Sequence, residues 1–195
     1  IIFFTGSMIS IIVPAYNEEK RIGRSLAALS NQTVPRDQYE LIVVDGGSTD
    51  KTLKIAEDYA DLTFIQESER VAGARNDGFL RASHDLVATT DADSIVASNW
   101  VEEAINSFSN SEVVLSFGPV TPIDKTNVDR RYALLFNGLI KLGAHSGLYY
   151  YTLGCNTAFR KNALLRAGMY RIMDAGDDLE IAVRMRKMGA VKFAP

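Results

Sequence analysis

Leu86-Val87-Ala88-Thr89-Thr90-Asp91-Ala92-Asp93 is the stretch whose reading decides the fold. The apolar start reads as a buried strand that ends at two threonines. Two carboxylates, two residues apart, follow where the strand meets a loop. In an open α/β sheet, ligands bind beyond the carboxyl ends of the strands. Carboxylates placed there can hold a hard divalent cation, which in turn holds phosphate oxygens. The position points to an enzyme that handles a nucleotide diphosphate. The D-x-D spacing alone does not, because two solvated or helix-capping aspartates would look the same.

Outward from this stretch the chain alternates. Ile9 to Val13, Leu41 to Val44, Leu62 to Ile65 and Asp85 to Thr90 read as strands. Between them, Glu18 to Asn31 carries Ile22, Leu26 and Leu29 at helical spacing. Lys51 to Tyr59 follows the N-cap chemistry of Ser48-Thr49-Asp50, and Val71 to Ala82 is a third helix. Asn99 with Glu102 predicts a capping box for a helix reaching Phe108. Strands and helices at this interval imply βαβ units and a mainly parallel sheet. The continuous apolar strands imply helices on both of its faces.

The second half is less regular. Val113 to Phe117, Thr157 to Phe159 and Val191 to Phe193 read as strands. Asp129 to Leu142, Lys161 to Ala167 and Asp177 to Met188 read as helices. The first of these carries Leu134, Leu135, Leu139 and Leu142. The last is expected to turn Leu179, Val183 and Met188 inward and to stop at Gly189.

The 195 residues suit one domain with a substantial core. Thr5-Gly6-Ser7 before Met8 reads as an appended segment, so residues 1–7 are set aside as foreign to the fold or disordered. Residues 8–195 are expected to form a single domain, with a nucleotide-binding half at 8–94 and an acceptor-binding half at 95–195. A formal net charge of −3 gives no support for a nucleic-acid surface. The single cysteine, Cys155, excludes an internal disulfide, and no Cys/His zinc pattern is present. No run of 18 apolar residues predicts a membrane span.

Several strand-end segments carry candidate chemistry. Pro14-Ala15-Tyr16-Asn17-Glu18 follows the first strand, and Tyr16 could offer its ring or hydroxyl to a base or ribose. Asn17 is better read as a cap for the next helix. Asp45-Gly46-Gly47 ends the second strand, where an acidic side chain can accept from ribose hydroxyls; a simple tight turn is the competing account. Arg70 and Arg75 flank the start of the third helix, where a cation and backbone N–H groups suit a diphosphate. Being five apart, they need not share a face, and one of them could be a surface ion pair. Asp174, Asp177, Asp178 and Glu180 cluster at a helix start, where ordinary capping could explain them. The sharper reading makes one a catalytic base, its pKa raised by like-charge crowding. The aromatic side chains Tyr132, Phe136 and Tyr149-Tyr150-Tyr151 suit sugar rings or a lipid surface, with core packing the simpler account. His84, His145 and Cys155 read as surface or packing residues rather than ligands. Trp100 fits either core or an acceptor wall.

Taken together, the chain resembles the inverting family 2 glycosyltransferases of GT-A fold, a Rossmann-like arrangement. The matching stretches are Ser10-Ile11-Ile12-Val13-Pro14-Ala15-Tyr16-Asn17-Glu18, Val43-Val44-Asp45-Gly46-Gly47-Ser48-Thr49-Asp50, Gly73-Ala74-Arg75-Asn76-Asp77-Gly78 and Asp91-Ala92-Asp93. Gly154-Cys155-Asn156-Thr157-Ala158-Phe159-Arg160 and Gly176-Asp177-Asp178-Leu179-Glu180 follow in order. The resemblance implies that Pro14, Tyr16 and Asp45 line a nucleoside pocket, with Glu18 assisting. It implies that Arg70 reaches the base or diphosphate, that Asp91 contacts the ribose side, and that Asp93 ligates Mg²⁺ or Mn²⁺. Asp178 takes the place of the general base, with Asp177 where the family has Glu. The implied donor is a nucleotide-diphosphate hexose, a UDP-sugar ahead of a GDP-sugar. The acceptor is a saccharide or lipid-linked hydroxyl, met at the cytoplasmic face of a membrane through peripheral or tethered contact. The Q-x-x-R-W signature of processive synthases is absent, which implies a non-processive enzyme or an element beyond Pro195.

Two other readings stay open on the residues. A sugar nucleotidyltransferase would also need a metal carboxylate, but it calls for a Gly-rich, basic loop after the first strand, which Pro14-Ala15-Tyr16-Asn17-Glu18 is not. A non-catalytic nucleotide-sugar module of a larger membrane protein would bind a donor without turning it over.

Overall fold

The structure is a computed structural model that describes residues 8–122, 127–146 and 152–194. Residues 1–7, the run Tyr149-Tyr150-Tyr151 and the side chain of His145 lie outside the described residues.

The elements run β1 Ile9–Ala15, α1 Ile22–Ser30, β2 Tyr39–Asp45, α2 Thr52–Glu57, β3 Leu62–Ile65, α3 Arg70–Arg81, β4 Leu86–Thr89 and α4 Trp100–Ser107. Then come β5 Val113–Phe117, α5 Asn127–Ser146, β6 Thr157–Arg160, α6 Lys161–Arg166, α7 Asp177–Met185 and β7 Ala190–Phe193. The strands form one sheet in the order β3-β2-β1-β4-β6-β5-β7. All are parallel except β6, which is antiparallel to both of its neighbours.

Strand alternation divides the core. Ile9, Ile11, Val13, Leu41, Val43 and Ala88 turn to one face, where they meet Ile22, Leu26 and Leu29 of α1, Ala56 of α2 and Val101 of α4. Ile12, Ile42, Val44 and Val87 turn to the other, against Phe79 of α3, Leu164 of α6 and Ile181, Ala182 and Met185 of α7. A sheet buried on both sides accounts for the nearly unbroken apolar strands. From β1 to β3 the chain winds one way and its helices lie on the first face. It then reverses, and α3 crosses on the second face to bring β4 beside β1. The reversal places a topological switch point between β1 and β4.

Pro14 helps to open that point. On one side β1 pairs with β2 as far as Ala15↔Asp45, but on the other its pairing with β4 stops at Ile12↔Thr89. Pro14 has no N–H to offer a ladder, so the two strands part just where the loops begin.

The structure corrects several local expectations. Asn17 does not cap α1, which starts at Ile22 with no side-chain cap. Asn17 instead has φ +52°, a region Asn tolerates, and accepts from the Thr49 N–H at 2.9 Å, tying the first loop to the second. The Asn99/Glu102 capping box does not form. Gln32 Oε1 accepts from the Val101 N–H at 3.0 Å and Thr33 donates to Glu102 at 2.8 Å, so a tertiary neighbour supplies the cap. In α7 the inward residues are Ile181, Ala182 and Met185, while Leu179, Val183 and Met188 are exposed. Ile181, Ala182 and Met185 pack into the core on the second face of the sheet. In α5, Ala133 and Ile140 are buried, whereas Tyr132, Leu134, Leu135, Phe136, Leu139 and Leu142 are exposed; core packing does not account for them. No helix among the described residues is long and apolar enough to cross a membrane.

Candidate functional site

A cavity of about 600 Å³ opens at the β1/β4 switch point. The first loop contributes Pro14, Tyr16 and Glu18, α3 contributes Arg70, Ala74 and Arg75, and the loop after β4 contributes Asp91 and Asp93. Tyr16 is 61% exposed and projects over the mouth. Glu18 forms a two-pronged ion pair with Arg21, at 2.7 and 2.9 Å. Asp45 lies at the end of β2 but does not line the cavity. It is 1% exposed, and its carboxylate accepts from the Gly47 and Ser48 N–H groups at 3.0 and 2.7 Å and from the Ser48 hydroxyl at 2.5 Å. Its present work is to hold its own loop.

The two arginines differ sharply. Arg70 is half exposed, has φ +65° and pairs with Asp174 at the surface. Arg75 is 4% exposed and is the hub of the site. Its Nη2 donates to Asp91 at 2.9 Å, and its Nη1 stands 3.5 Å from Asp177 and 3.4 Å from Asp178. One guanidinium therefore joins the end of β4 to the start of α7, which the chain brings together from more than 80 positions apart, on the order of half its length. The sequence suggested Arg75 beside Arg70 for a diphosphate, but the roles assigned by resemblance went to Arg70 alone. The signal for Arg75 was the G-A-R-N stretch, and helical spacing from Arg70 could not show which arginine turns inward. Gly154 makes room for it, because a Cβ there would overlap the guanidinium.

Electrostatics separates the carboxylates. Asp178 is pushed above the ordinary carboxylate range chiefly by burial, with Asp177 and Asp91 adding to the rise and Arg75 and the Gly154 amide opposing it. Crowding, the expected cause, is thus the lesser contribution. The acidic cluster also splits by role: Glu180 is held below its usual range by its hydrogen bonds from Arg184, and Asp174 belongs to Arg70. Asp178 lines neither main cavity; Arg75 connects it to the first.

Asp93 is more open than Asp91 and is approached by Arg21 at 3.7 Å. It lines both the first cavity and a second, of about 670 Å³, bounded by Thr90, Trp100, Cys155 and Asn156. Trp100 packs against the core and also walls this cavity, its Nε1 donating to Asn156 at 2.8 Å. Burial pushes the Cys155 thiol up to about 11, so it stays protonated at neutral pH. Among the described residues no three His, Cys, Asp or Glu side chains gather into a metal cage. Asp93 nevertheless fits a Mg²⁺ or Mn²⁺ ion, since Mg²⁺ is commonly bound by one or two carboxylates, with water and substrate phosphates completing the shell.

The family model described as glycosyl transferase family 2 matches residues 10–173. The chain belongs to that family. A relative, the glycosyltransferase AglE of Haloferax volcanii, is 36% identical over 122 residues, covering 60% of this chain and 40% of that protein. The poly(ribitol-phosphate) beta-glucosyltransferase of Bacillus spizizenii is 30% identical over 129 residues, covering 63% of this chain and 20% of its own length. The chain therefore spans less than half of either relative. Among solved structures, mannosyltransferase PcManGT from Pyrobaculum calidifontis superposes with a TM-score of 0.77 at 24% identity, over 96% of this chain and 54% of that one. The 1–349 fragment of S. aureus TarS gives 0.75 at 22%, over 95% and 55%. The fold is the GT-A arrangement of these proteins.

Proposed function

We propose that this family 2 chain transfers a hexose from a nucleotide-diphosphate sugar to an acceptor hydroxyl, with inversion and with a divalent cation. One observation carries the reading. Buried Arg75 ties Asp91, at the mouth of the switch-point cavity, to Asp178, a largely buried carboxylate whose proton affinity is raised.

In this reading Pro14, Tyr16, Glu18 and Asp45 form or support the nucleoside end, and Arg70 meets the diphosphate. Asp45 would have to exchange some of its loop hydrogen bonds for ribose or base contacts. Asp91, oriented by Arg75, faces the ribose side. Asp93 would hold Mg²⁺ or Mn²⁺, which when bound supplies charge neutralisation for a departing diphosphate. Asp178 takes the proton from the acceptor hydroxyl as that oxygen attacks the anomeric carbon. A raised pKa suits it to hold that proton. The cavity beside Trp100 receives the acceptor, with its hydroxyl directed past Cys155, whose thiol feels the Asp178 charge, toward that carboxyl. The exposed leucines of α5 favour a lipid-linked acceptor at a membrane surface over a free saccharide. PcManGT, solved with GDP-Man and Mn²⁺, and TarS, solved with UDP-GlcNAc, support a nucleotide-sugar donor and leave both bases in play.

Turnover tests the base. With Mn²⁺ and a panel of UDP-glucose, UDP-GlcNAc and GDP-mannose, release of nucleoside diphosphate is expected from wild type. Asp178→Asn is expected to lose about 10²–10⁴-fold of that rate. Release of pyrophosphate would favour the nucleotidyltransferase, and binding without any turnover would favour the non-catalytic module.

A further inference from the structure

Behind Arg75 lies a buried side chain that the reaction above does not use. Tyr170, which follows α6, is 3% exposed. Its ring stacks on Phe79 at 6.1 Å and meets Phe159 edge-on at 6.0 Å. Asn76 pins its backbone twice, donating to the Tyr170 carbonyl at 2.8 Å and accepting from its N–H at 3.0 Å. The Arg75 guanidinium carbon stands 5.6 Å from the ring centroid. A phenylalanine would fill this aromatic cage as well. The tyrosine carries a hydroxyl into it, and that hydroxyl has no hydrogen-bond partner of regular geometry. Buried polar groups are rarely left so, because an unmade hydrogen bond is costly.

The hydroxyl lies against the Asp178 carboxyl and is electrostatically coupled to it. The charged and titratable groups facing Asp178 are Arg75 from α3, Asp91 beyond β4, Asp177 on its own helix, Cys155 before β6, and Tyr170. Arg75 is divided among three carboxylates. Asp91 and Asp177 are acceptors only. Burial above all keeps the Tyr170 phenol protonated, far above its ordinary range, so it is a donor at any working pH. It is the strong neutral donor here with no other duty, the Cys155 thiol being a weak one. Catalytic hydrogen bonds are often long in the free enzyme and tighten when substrate arrives.

We propose that Tyr170 is a positioning residue for Asp178: its hydroxyl donates to one carboxylate oxygen and leaves the other turned toward the acceptor. This rests on Asp178 being the base. Without the donor, a carboxylate shared with Arg75 and Asp177 would rotate between partners.

The test is Tyr170→Phe, read by ¹³C NMR titration of protein labelled at aspartate carboxyls, with the Asp178 signal assigned by its loss in Asp178→Asn. Removing a donor to the ionised form raises a carboxyl pKa. The Asp178 midpoint is expected to rise by about one pH unit, and the acid limb of kcat/KM for donor hydrolysis to rise with it. UDP and GDP affinity with Mn²⁺ should not change, while Tm at neutral pH should fall modestly, because a still higher folded pKa for Asp178 further disfavours the native state with that carboxylate ionised. A midpoint that stays put or falls overturns the proposal, whatever happens to stability, and makes Tyr170 a packing residue. The midpoint is read without turnover, so failure of the base assignment shows separately, as undiminished hydrolysis by Asp178→Asn.

Discussion

At the scale of single residues, the site depends on one buried cation among three carboxylates. Replacing Arg75 by methionine keeps most of the volume and removes the charge. Removing one partner from a buried ionic group typically costs 3–5 kcal/mol, so Arg75→Met is expected to lose about 3 kcal/mol by urea denaturation. A loss below about 1 kcal/mol would show that solvent, not Arg75, balances these acids. Asp178 makes the opposite contribution. Its folded pKa is raised, so between the unfolded carboxyl pKa and that higher value the native state binds more protons than the unfolded chain, and stability falls as pH rises through the window. Asp178→Asn should therefore raise Tm at neutral pH, with the gain shrinking as pH drops below the ordinary carboxylate range. Comparing Tm against pH for both proteins checks the sign; a variant less stable than wild type at every pH would refute it. A carboxylate retained at the expense of stability is the signature of a site selected for chemistry.

At the scale of elements, α3 is what brings the halves of the site together, and a carboxylate anchors its entry. Asp77 accepts from the Glu67 and Ser68 N–H groups at 2.7 and 2.8 Å and from the Ser68 hydroxyl at 2.7 Å. Burial opposes its charge, yet these bonds win and hold its pKa below the usual range. That stability is present above the unfolded pKa and is lost as pH falls through the folded one. Asp77→Asn is expected to cost about 1–3 kcal/mol at pH 7 and progressively less in acid, by denaturation at several pH values; a cost independent of pH would contradict it. Gly78 lets the same helix lie on β1, since a Cβ there would come within 2.5 Å of Ile12 Cγ2. Period and composition made these elements legible: Leu62–Ile65 was read to the residue, and Ile22, Leu26 and Leu29 are all buried. Helix rotation was not legible where apolar residues occupy two sides. In α7 the choice between the Leu179/Val183 stripe and the Ile181/Met185 stripe depends on the partner surface, which a single helix does not encode. Capping by Gln32 was invisible for the same reason, because it comes from 69 positions away.

At the scale of the whole molecule, a reversal of winding direction creates a crevice and the strand-end loops furnish it. Strand-end position pointed to Tyr16, Asp91 and Asp93, the helix start to Arg70, and the family resemblance to Pro14 and Glu18, and all six line the cavity. Asp45 and Asp178 lie just behind it. The sequence pointed to Arg75 only beside Arg70, for a diphosphate, and its role as the residue that connects the parts came into view only with the fold. Spacing along one helix cannot report a meeting with residues roughly 100 positions away. The central claim is that this crevice is a diphosphate site closed by a cation on Asp93, with the proton acceptor standing apart from it. Titration calorimetry of UDP and GDP into wild type, Asp93→Ala and Asp178→Asn, each with and without Mn²⁺, tests it directly. One nucleotide should bind wild type and Asp178→Asn with comparable affinity only when Mn²⁺ is present, and should bind Asp93→Ala at least tenfold more weakly, a difference of about 1.4 kcal/mol. Binding of neither nucleotide, or binding indifferent to both Mn²⁺ and Asp93, would contradict the claim.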